Sequence, residues 1–203
     1  MSPIPVPSRA RELYYGWFVT IACFAALLAV FSINYSFGVF FDPLIADFGS
    51  SKADTSLIFS IQSITLYTGA AVFGRQVDRY SARPVVVLGG VLTGVGMVGA
   101  SLSTNLVELY ISYGVVAGLG MGMVYVIGIT TATRWFYRRR GIASAIATSG
   151  VVIATLVAPP VTSILIDLYG WQTAYRLLTV CVVLVVVGVA IVVRDNPETA
   201  GVD

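Results

Sequence analysis

Residues 17–41 read WFVTIACFAALLAVFSINYSFGVFF, a stretch of 25 residues without a charged side chain. A helix needs roughly 20 consecutive apolar residues to cross a hydrocarbon core about 30 Å thick. Similar runs follow at residues 55–74, 84–103, 109–133, 141–166 and 177–193. A soluble domain carries about 25% charged residues, whereas this chain carries 11% and has a mean hydropathy of +0.88. The sequence therefore predicts an all-α membrane protein with six transmembrane helices.

Cationic side chains gather in alternate segments between these runs. Ten lie at the two chain ends and in the second and fourth loops: Arg9, Arg11, Arg75, Arg79, Arg83, Arg134, Arg138, Arg139, Arg140 and Arg194. The opposite segments carry only Lys52 and Arg176. Cytoplasmic loops of membrane proteins carry an excess of Lys and Arg. We therefore expect a multi-pass protein of the cell membrane with both termini in the cytoplasm, which requires an even number of crossings and agrees with six.

The runs divide the chain into three parts. Residues 1–14 are expected to form a cytoplasmic N-terminal tail, and residues 15–193 a six-span domain embedded in the lipid bilayer. Residues 194–203 are expected to be a cytoplasmic tail or the start of a linker between domains.

Composition excludes several classes of function. The chain has no histidine, and its two cysteines, Cys23 and Cys181, lie in apolar runs without the spacing of a metal site. No G-x-S-x-G or H-E-x-x-H motif and no pair of intramembrane acids is present. We predict no enzymatic activity, no catalytic residue, no cofactor, no metal site and no nucleic-acid partner.

Small residues and prolines mark the expected helix contacts. Glycines recur at intervals of four in the third and fourth runs, at Gly90, Gly94, Gly114, Gly118 and Gly122. Such stripes allow two membrane helices to approach closely, and they are also compatible with a surface that slides during a conformational change. Pro159 and Pro160 are expected to kink or break the fifth helix near Ala158.

No charged side chain lies at mid-depth in any run, so polar residues are the candidates for function. They are Asn34, Tyr35, Gln62, Tyr67, Tyr125, Thr148 and Ser149. The carboxamides of Asn34 and Gln62 are the most informative, because an amide in hydrocarbon needs hydrogen-bond partners. Two interpretations remain open for them: hydrogen bonds between helices, or the lining of an aqueous or substrate cavity.

The chain contains a short internal repeat. Residues 78–80 read DRY and residues 167–169 read DLY, 89 positions later. Three spans separate the two copies, so they lie on opposite sides of the membrane. This is the symmetry of a 3+3 inverted repeat, a unit found in transporters.

The second loop, residues 74–83, reads GRQVDRYSAR. It resembles the G-x-L-x-D-R-x-G-x-R signature of the major facilitator superfamily. It matches at Gly74, Asp78, Arg79 and Arg83 and departs at Gln76 and Ser81. The resemblance implies half of a major facilitator fold, in which these four matching residues form a cytoplasmic gate.

Within that superfamily the chain is most similar to monocarboxylate transporters and oxalate/formate antiporters. The resemblance covers nearly the whole chain and is carried by residues 15–17, 35–41, 134–150 and 170–176, with the fourth-loop sequence RWFYRRRGIA as its most specific part. Two positions depart from the pattern. Tyr35 stands where some of these carriers have a lysine, and Gly114 stands where many proton-coupled relatives have an arginine.

The resemblance implies secondary-active transport of a small organic solute, such as a carboxylate, by alternating access. Spans one, two and four line the cavity in this family, so we expect Asn34, Tyr35, Gln62 and Tyr125 to contact the substrate. Because 203 residues correspond to one six-span half, we expect a second half, as a homodimer or a separately encoded chain. The alternatives are a non-transporting scaffold or accessory subunit, or a truncated inactive fragment.

Overall fold

Six long helices make up nearly all of the described chain. The computed structural model describes residues 9–74, 82–134, 136 and 139–192. The helices are α1 (Arg9–Phe48), α2 (Lys52–Gly74), α3 (Ala82–Ser101), α4 (Leu106–Arg134), α5 (Arg140–Tyr169) and α6 (Trp171–Val192). Each helix is long and apolar enough to cross a membrane. The predicted all-α membrane fold with six spans is confirmed.

The helices extend beyond the apolar runs that predicted them. α1 begins at Arg9, inside the predicted tail, and α6 begins at Trp171 rather than at residue 177. Only Gly170, with φ +78°, separates α5 from α6. The indole N–H of Trp171 donates to Asp47 Oδ2 at 2.9 Å and fixes the start of α6 against the end of α1. Hydropathy marks the part of a helix that lies in hydrocarbon, whereas caps and contacts decide where the helix ends.

α5 continues through both of its prolines. Pro159 and Pro160 lie inside a helix that runs without interruption from Arg140 to Tyr169, so a break near Ala158 is wrong, and a kink at this position stays a prediction. Prolines are tolerated in membrane helices when packing and neighbouring polar groups support the backbone. α5 packs extensively along α1.

The helices pack in a pattern that relates the two halves of the bundle. The main pairs are α1 with α5, α2 with α4, α3 with α6, α3 with α4, and α1 with α6. If α1 is exchanged with α4, α2 with α5 and α3 with α6, the same five pairs are obtained. The pattern is compatible with a 3+3 inverted repeat, which stays a prediction.

The glycine stripes lie at close helix contacts. Gly118 and Gly122 of α4 face α2 so closely that a Cβ atom on Gly122 would collide with the carbonyl oxygen of Leu66. Gly90 and Gly94 of α3 face valines of α6. The stripes therefore serve helix packing, as small residues do in membranes.

The first third of α4 has an unusual winding. Tyr110–Ala117 forms a π-helical segment, a conformation that often occurs near functional sites. Tyr113 within it is completely buried and donates its hydroxyl to the carbonyl oxygen of Ile33 at 3.3 Å. Its ring lies 5.5 Å from Phe37 and 5.9 Å from Tyr175, centroid to centroid. This aromatic group joins α1, α4 and α6 directly behind the surface described below.

Candidate functional site

Two neighbouring cavities open on one surface of the bundle, formed by α1, α2, α4 and α5. The first has a volume of about 490 Å³, and the second of about 340 Å³. Phe31, Tyr35, Tyr67, Tyr125, Ala145, Thr148, Ser149, Val151 and Val152 line the first cavity. Asn34, Tyr35, Phe37, Gly38, Phe41, Ser56, Phe59 and Ser60 line the second. Tyr35 belongs to both cavities, so they form one continuous surface.

Three tyrosines present hydroxyl groups on this surface. Tyr35 is 38% exposed and Tyr67 is 60% exposed, while Tyr125 is half-buried. The ring of Phe31 lies 5.9 Å from the ring of Tyr35 and 5.3 Å from that of Tyr125. Tyr35 stands 13 residues before the end of α1, or about 20 Å along the helix. Tyrosines usually concentrate at the membrane interface, so the position of Tyr35 within the apolar run of α1 is unusual for a purely lipid-facing surface.

A chain of hydrogen bonds connects the surface to the centre of the bundle. Asn34 Nδ2 donates to Gln62 Oε1 at 3.0 Å, and Gln62 Nε2 donates to the sulfur of Met121 at 3.2 Å. Gln62 and Met121 have no exposed surface, and Asn34 is 7% exposed. The side chains come from α2, α4 and α1, respectively. Hydrogen bonding between helices, one of the two interpretations of the carboxamides, is therefore observed, and Asn34 lines a cavity as well.

The lining side chains are uncharged but unequal in their hydrogen-bonding capacity. The serine and threonine hydroxyls donate to carbonyl oxygens of their own helices: Ser56 to Ala53, Ser60 to Ser56, Thr148 to Ser144 and Ser149 to Ile146. Tyr35, Tyr67 and Tyr125 make no hydrogen bond within the described part of the chain. Hydroxyl groups that already donate can only accept from a ligand. The three tyrosines are thus the hydroxyl donors available to a solute among the described lining residues.

The structure places the predicted substrate residues in two layers. Asn34, Tyr35 and Tyr125 line the cavities, and Gln62 lies behind them and reaches the cavity only through Asn34. Sequence reasoning missed Phe31, which orients two tyrosines, and Met121, which accepts from Gln62. Phe31 is four residues from Tyr35, a spacing that places both on one helix face. Nothing in the sequence distinguishes Met121 from an ordinary apolar residue.

The predicted cytoplasmic gate is described only in part. Asp78 and Arg79 lie outside the described residues. Gly74 ends α2 and faces the side chain of Val126. Arg83, in the first turn of α3, donates through Nε to the carbonyl oxygen of Ala190 at 2.7 Å and through Nη2 to that of Ile191 at 3.0 Å. A gating role for these residues stays a prediction.

Arg83 and Arg176 join the two ends of the α3–α6 pair. Carbonyl groups in the last turn of a helix have no partner within the helix and attract cations, and Arg83 binds two of them in α6. At the opposite end, Arg176 in the second turn of α6 donates to Ser101 Oγ, at the end of α3, at 3.4 Å. The predicted loop position of Arg176 is wrong, because the residue is helical and contacts α3.

Replacing Arg83 with glutamine is expected to lower the free energy of unfolding by about 1 kcal/mol, because two α6 carbonyl groups lose their donor and the site is partly exposed to water. Thermal unfolding in detergent measures this change. Arg139→Gln is the matched control, since Arg139 is also exposed and its side chain makes no hydrogen bond within the described residues. Equal losses in both variants would contradict a specific contact at Arg83.

Known proteins resemble this chain in sequence. Residues 14–203 match the family model described as Major Facilitator Superfamily. The chain is 30% identical over 175 residues to monocarboxylate transporter 3 of Gallus gallus, which covers 86% of this chain and 32% of that protein. It is 32% identical over 174 residues to monocarboxylate transporter 11 of Homo sapiens, covering 86% and 37%, respectively. The chain thus spans only about a third of the length of these relatives.

Solved structures resemble the fold. The proton:xylose symporter XylE, with 6-bromo-6-deoxy-D-glucose bound, matches with a TM-score of 0.77 over 91% of this chain and 46% of that chain, at 14% identity. The peptide transporter POT in complex with sulfate matches with a TM-score of 0.74 over 85% and 37%, at 18% identity. Because the family match covers nearly all of its residues, this chain belongs to the Major Facilitator Superfamily, a family of membrane transporters and not of enzymes.

Proposed function

We propose that the chain forms one wall of a pathway for secondary-active transport of a small organic solute by alternating access. The observation that carries the proposal is the uncharged, aromatic and polar surface that contains Asn34, Tyr35 and Tyr125 at the depth of the apolar spans. Lipid cannot satisfy the hydroxyl and amide groups on this surface. Contact with a solute or with water would satisfy them, and an outward-facing polar surface on a membrane bundle needs such contact.

The proposed pathway requires a second wall. Both cavities lie on the outside of the bundle, so one copy of this chain cannot enclose a solute. The matched transporters are longer, and this chain covers 46% or less of each solved structure named above. We propose that a second six-span half packs against the tyrosine surface, supplied by a second copy or by a separately encoded chain.

The solute is proposed to be a carboxylate, on the strength of the relatives, whose names describe monocarboxylate transporters. Three tyrosine hydroxyls can donate hydrogen bonds to a carboxylate. The described cavity lining contains no cation, so we propose that the second half supplies the counter-charge. Asn34, Tyr35, Tyr67 and Tyr125 would contact the solute directly, and Gln62 would act through Asn34.

The proposed orientation follows the arginines. The second and fourth loops and both termini, including residues 1–14 and 194–203, would face the cytoplasm, and the protein would lie in the cell membrane. Arg83 and Arg176 contact opposite ends of the α3–α6 pair, an arrangement that supports placing their loops on opposite sides.

Uptake into proteoliposomes tests the proposed function. Vesicles containing the purified chain should accumulate a labelled monocarboxylate above the level of protein-free vesicles, and crosslinking should capture two copies of the chain. If no uptake occurs and the chain is a monomer in mild detergent, we would conclude that the purified chain is a subunit that lacks its second half. Stable association with an unrelated membrane protein and no uptake would instead favour an accessory subunit.

Replacing Asp78 with asparagine is expected to slow uptake about tenfold or more without loss of membrane insertion. A carboxylate forms charge-assisted hydrogen bonds that the neutral amide cannot replace, and the family signature implies such bonds at the cytoplasmic gate. Initial uptake rates per inserted molecule measure the effect. Asp167→Asn, in the second copy of the repeat on the opposite side, is the control and should keep its rate. Normal uptake by the Asp78 variant would contradict the proposal that Asp78 acts at the cytoplasmic gate.

A further inference from the structure

The sulfur of Met121 fixes the orientation of the buried amide chain. A thioether can accept a hydrogen bond but has no proton to donate. The Gln62 atom that lies 3.2 Å from this sulfur must therefore be the amide nitrogen. Turning the Gln62 amide around would bring its oxygen against the sulfur, two acceptors in a site with no exposed surface. Such an arrangement is costly in a buried site.

The orientation of the Gln62 amide also determines the orientation of the Asn34 amide. With the nitrogen of Gln62 on Met121, its oxygen Oε1 faces Asn34, and only the Asn34 nitrogen can donate to it, at 3.0 Å. The remaining Asn34 atom, Oδ1, makes no hydrogen bond within the described chain and is not fully enclosed. It belongs to a side chain that lines the cavity of about 340 Å³.

We propose that Gln62, held by Met121, is a positioning residue that turns the Asn34 carboxamide so that its oxygen faces the solute cavity. The inference rests on the proposed transport function. It adds a requirement on the solute: Asn34 accepts a hydrogen bond, so this wall selects molecules that carry a donor, such as a hydroxyl group. The neighbouring tyrosines can donate to a carboxylate, so a hydroxy acid satisfies both kinds of group.

The selection has an expected size. A solute without the donor leaves Asn34 Oδ1 without a partner, and one lost hydrogen bond in a partly buried site reduces affinity about tenfold. Replacing Gln62 with leucine removes the constraint on Asn34. The amide can then also turn its nitrogen to the cavity and donate to an acceptor, so the preference for a donor over an acceptor at this position disappears.

The first experiment measures the orientation without any solute. The chain contains three asparagines, Asn34, Asn105 and Asn196, so ¹⁵N-asparagine labelling gives three side-chain amide signals, which Asn34→Ala assigns. The Asn34 amide protons should exchange with water at least about tenfold more slowly in the wild-type protein than in Gln62→Leu. Met121→Leu, which keeps the side-chain volume nearly constant, should give an intermediate rate.

The second experiment measures selection in proteoliposomes, with lactate and pyruvate as a pair in which a hydroxyl group that can donate is replaced by a keto oxygen that can only accept. The wild-type chain should prefer lactate about tenfold, and Gln62→Leu should reduce the ratio to near one. Ser36→Ala is the matched control. It removes another buried hydrogen bond between helices, Ser36 to Thr162 at 2.8 Å, and should leave the ratio unchanged.

The outcomes separate the two proposals. Equal exchange rates in the wild-type and Gln62→Leu proteins would overturn the positioning role, and so would an unchanged lactate preference in Gln62→Leu. If Ser36→Ala also lost the preference for lactate, the positioning role would be overturned, because a general loosening of the helix packing would then explain the effect. Slow exchange only in the wild-type protein, without uptake of either probe, would refute transport by copies of this chain alone and support the positioning of Asn34.

Discussion

Replacing Gly120 with alanine should destabilise the bundle by about 3 kcal/mol, the upper part of the range for overpacking. A Cβ atom at this position would lie 2.5 Å from both the carbonyl oxygen of Gly89 and the amide nitrogen of Thr93. Both are backbone atoms of α3, so no side chain can rotate away, and the two helices must separate. Unfolding by titration with a denaturing detergent, followed by circular dichroism, measures the change.

Gly188→Ala is the control for this experiment. Gly188 also lies inside a membrane helix, and its Cβ atom would meet nothing within 4 Å. Alanine favours a helix over glycine by about 1 kcal/mol, so this variant should be neutral or more stable. If the Gly120 variant were as stable as the control, α3 and α4 would have to be farther apart at Gly120 than in the structure.

The glycine pattern illustrates what the sequence can predict about packing. A spacing of four identified Gly118 and Gly122 as one face of α4, and that face packs on α2. The spacing of four did not identify Gly120. This residue lies two positions from both Gly118 and Gly122, which places it about 200° around the helix from them. It belongs to a second close contact, with α3. A stripe predicts that a helix face packs closely, but it cannot identify the partner or a second face.

The membrane fold was predictable because each span is encoded locally, by its own apolar residues. Helix ends were less predictable, since the start of α6 depends on the contact between Trp171 and Asp47. The candidate functional site was predictable in part. The sequence identified Asn34 and Gln62 as polar groups that need partners, but their separate roles depend on Met121, 59 residues from Gln62. An apolar residue that accepts a hydrogen bond gives no signal in a sequence.

Removing the three tyrosine hydroxyls should reduce solute affinity about a hundredfold. Tyr35, Tyr67 and Tyr125 line the larger cavity, and each hydroxyl contributes about 1 kcal/mol when it donates to a solute. The triple substitution Y35F/Y67F/Y125F keeps the rings, including the contacts of two of them with Phe31. The half-saturating concentration of a monocarboxylate in the uptake assay measures the loss.

Tyr169→Phe is the matched control for the triple variant. Tyr169 is 58% exposed, nearly the same as Tyr67 at 60%, but it lies at the end of α5 and outside both cavities. Its hydroxyl should therefore make no difference to uptake. The phenylalanine rings keep the apolar surface of the cavity, so the triple variant should insert and unfold like the wild-type chain. If its affinity for the solute were also unchanged, the tyrosine surface would not be the solute wall, and the second half would have to pack there for another reason.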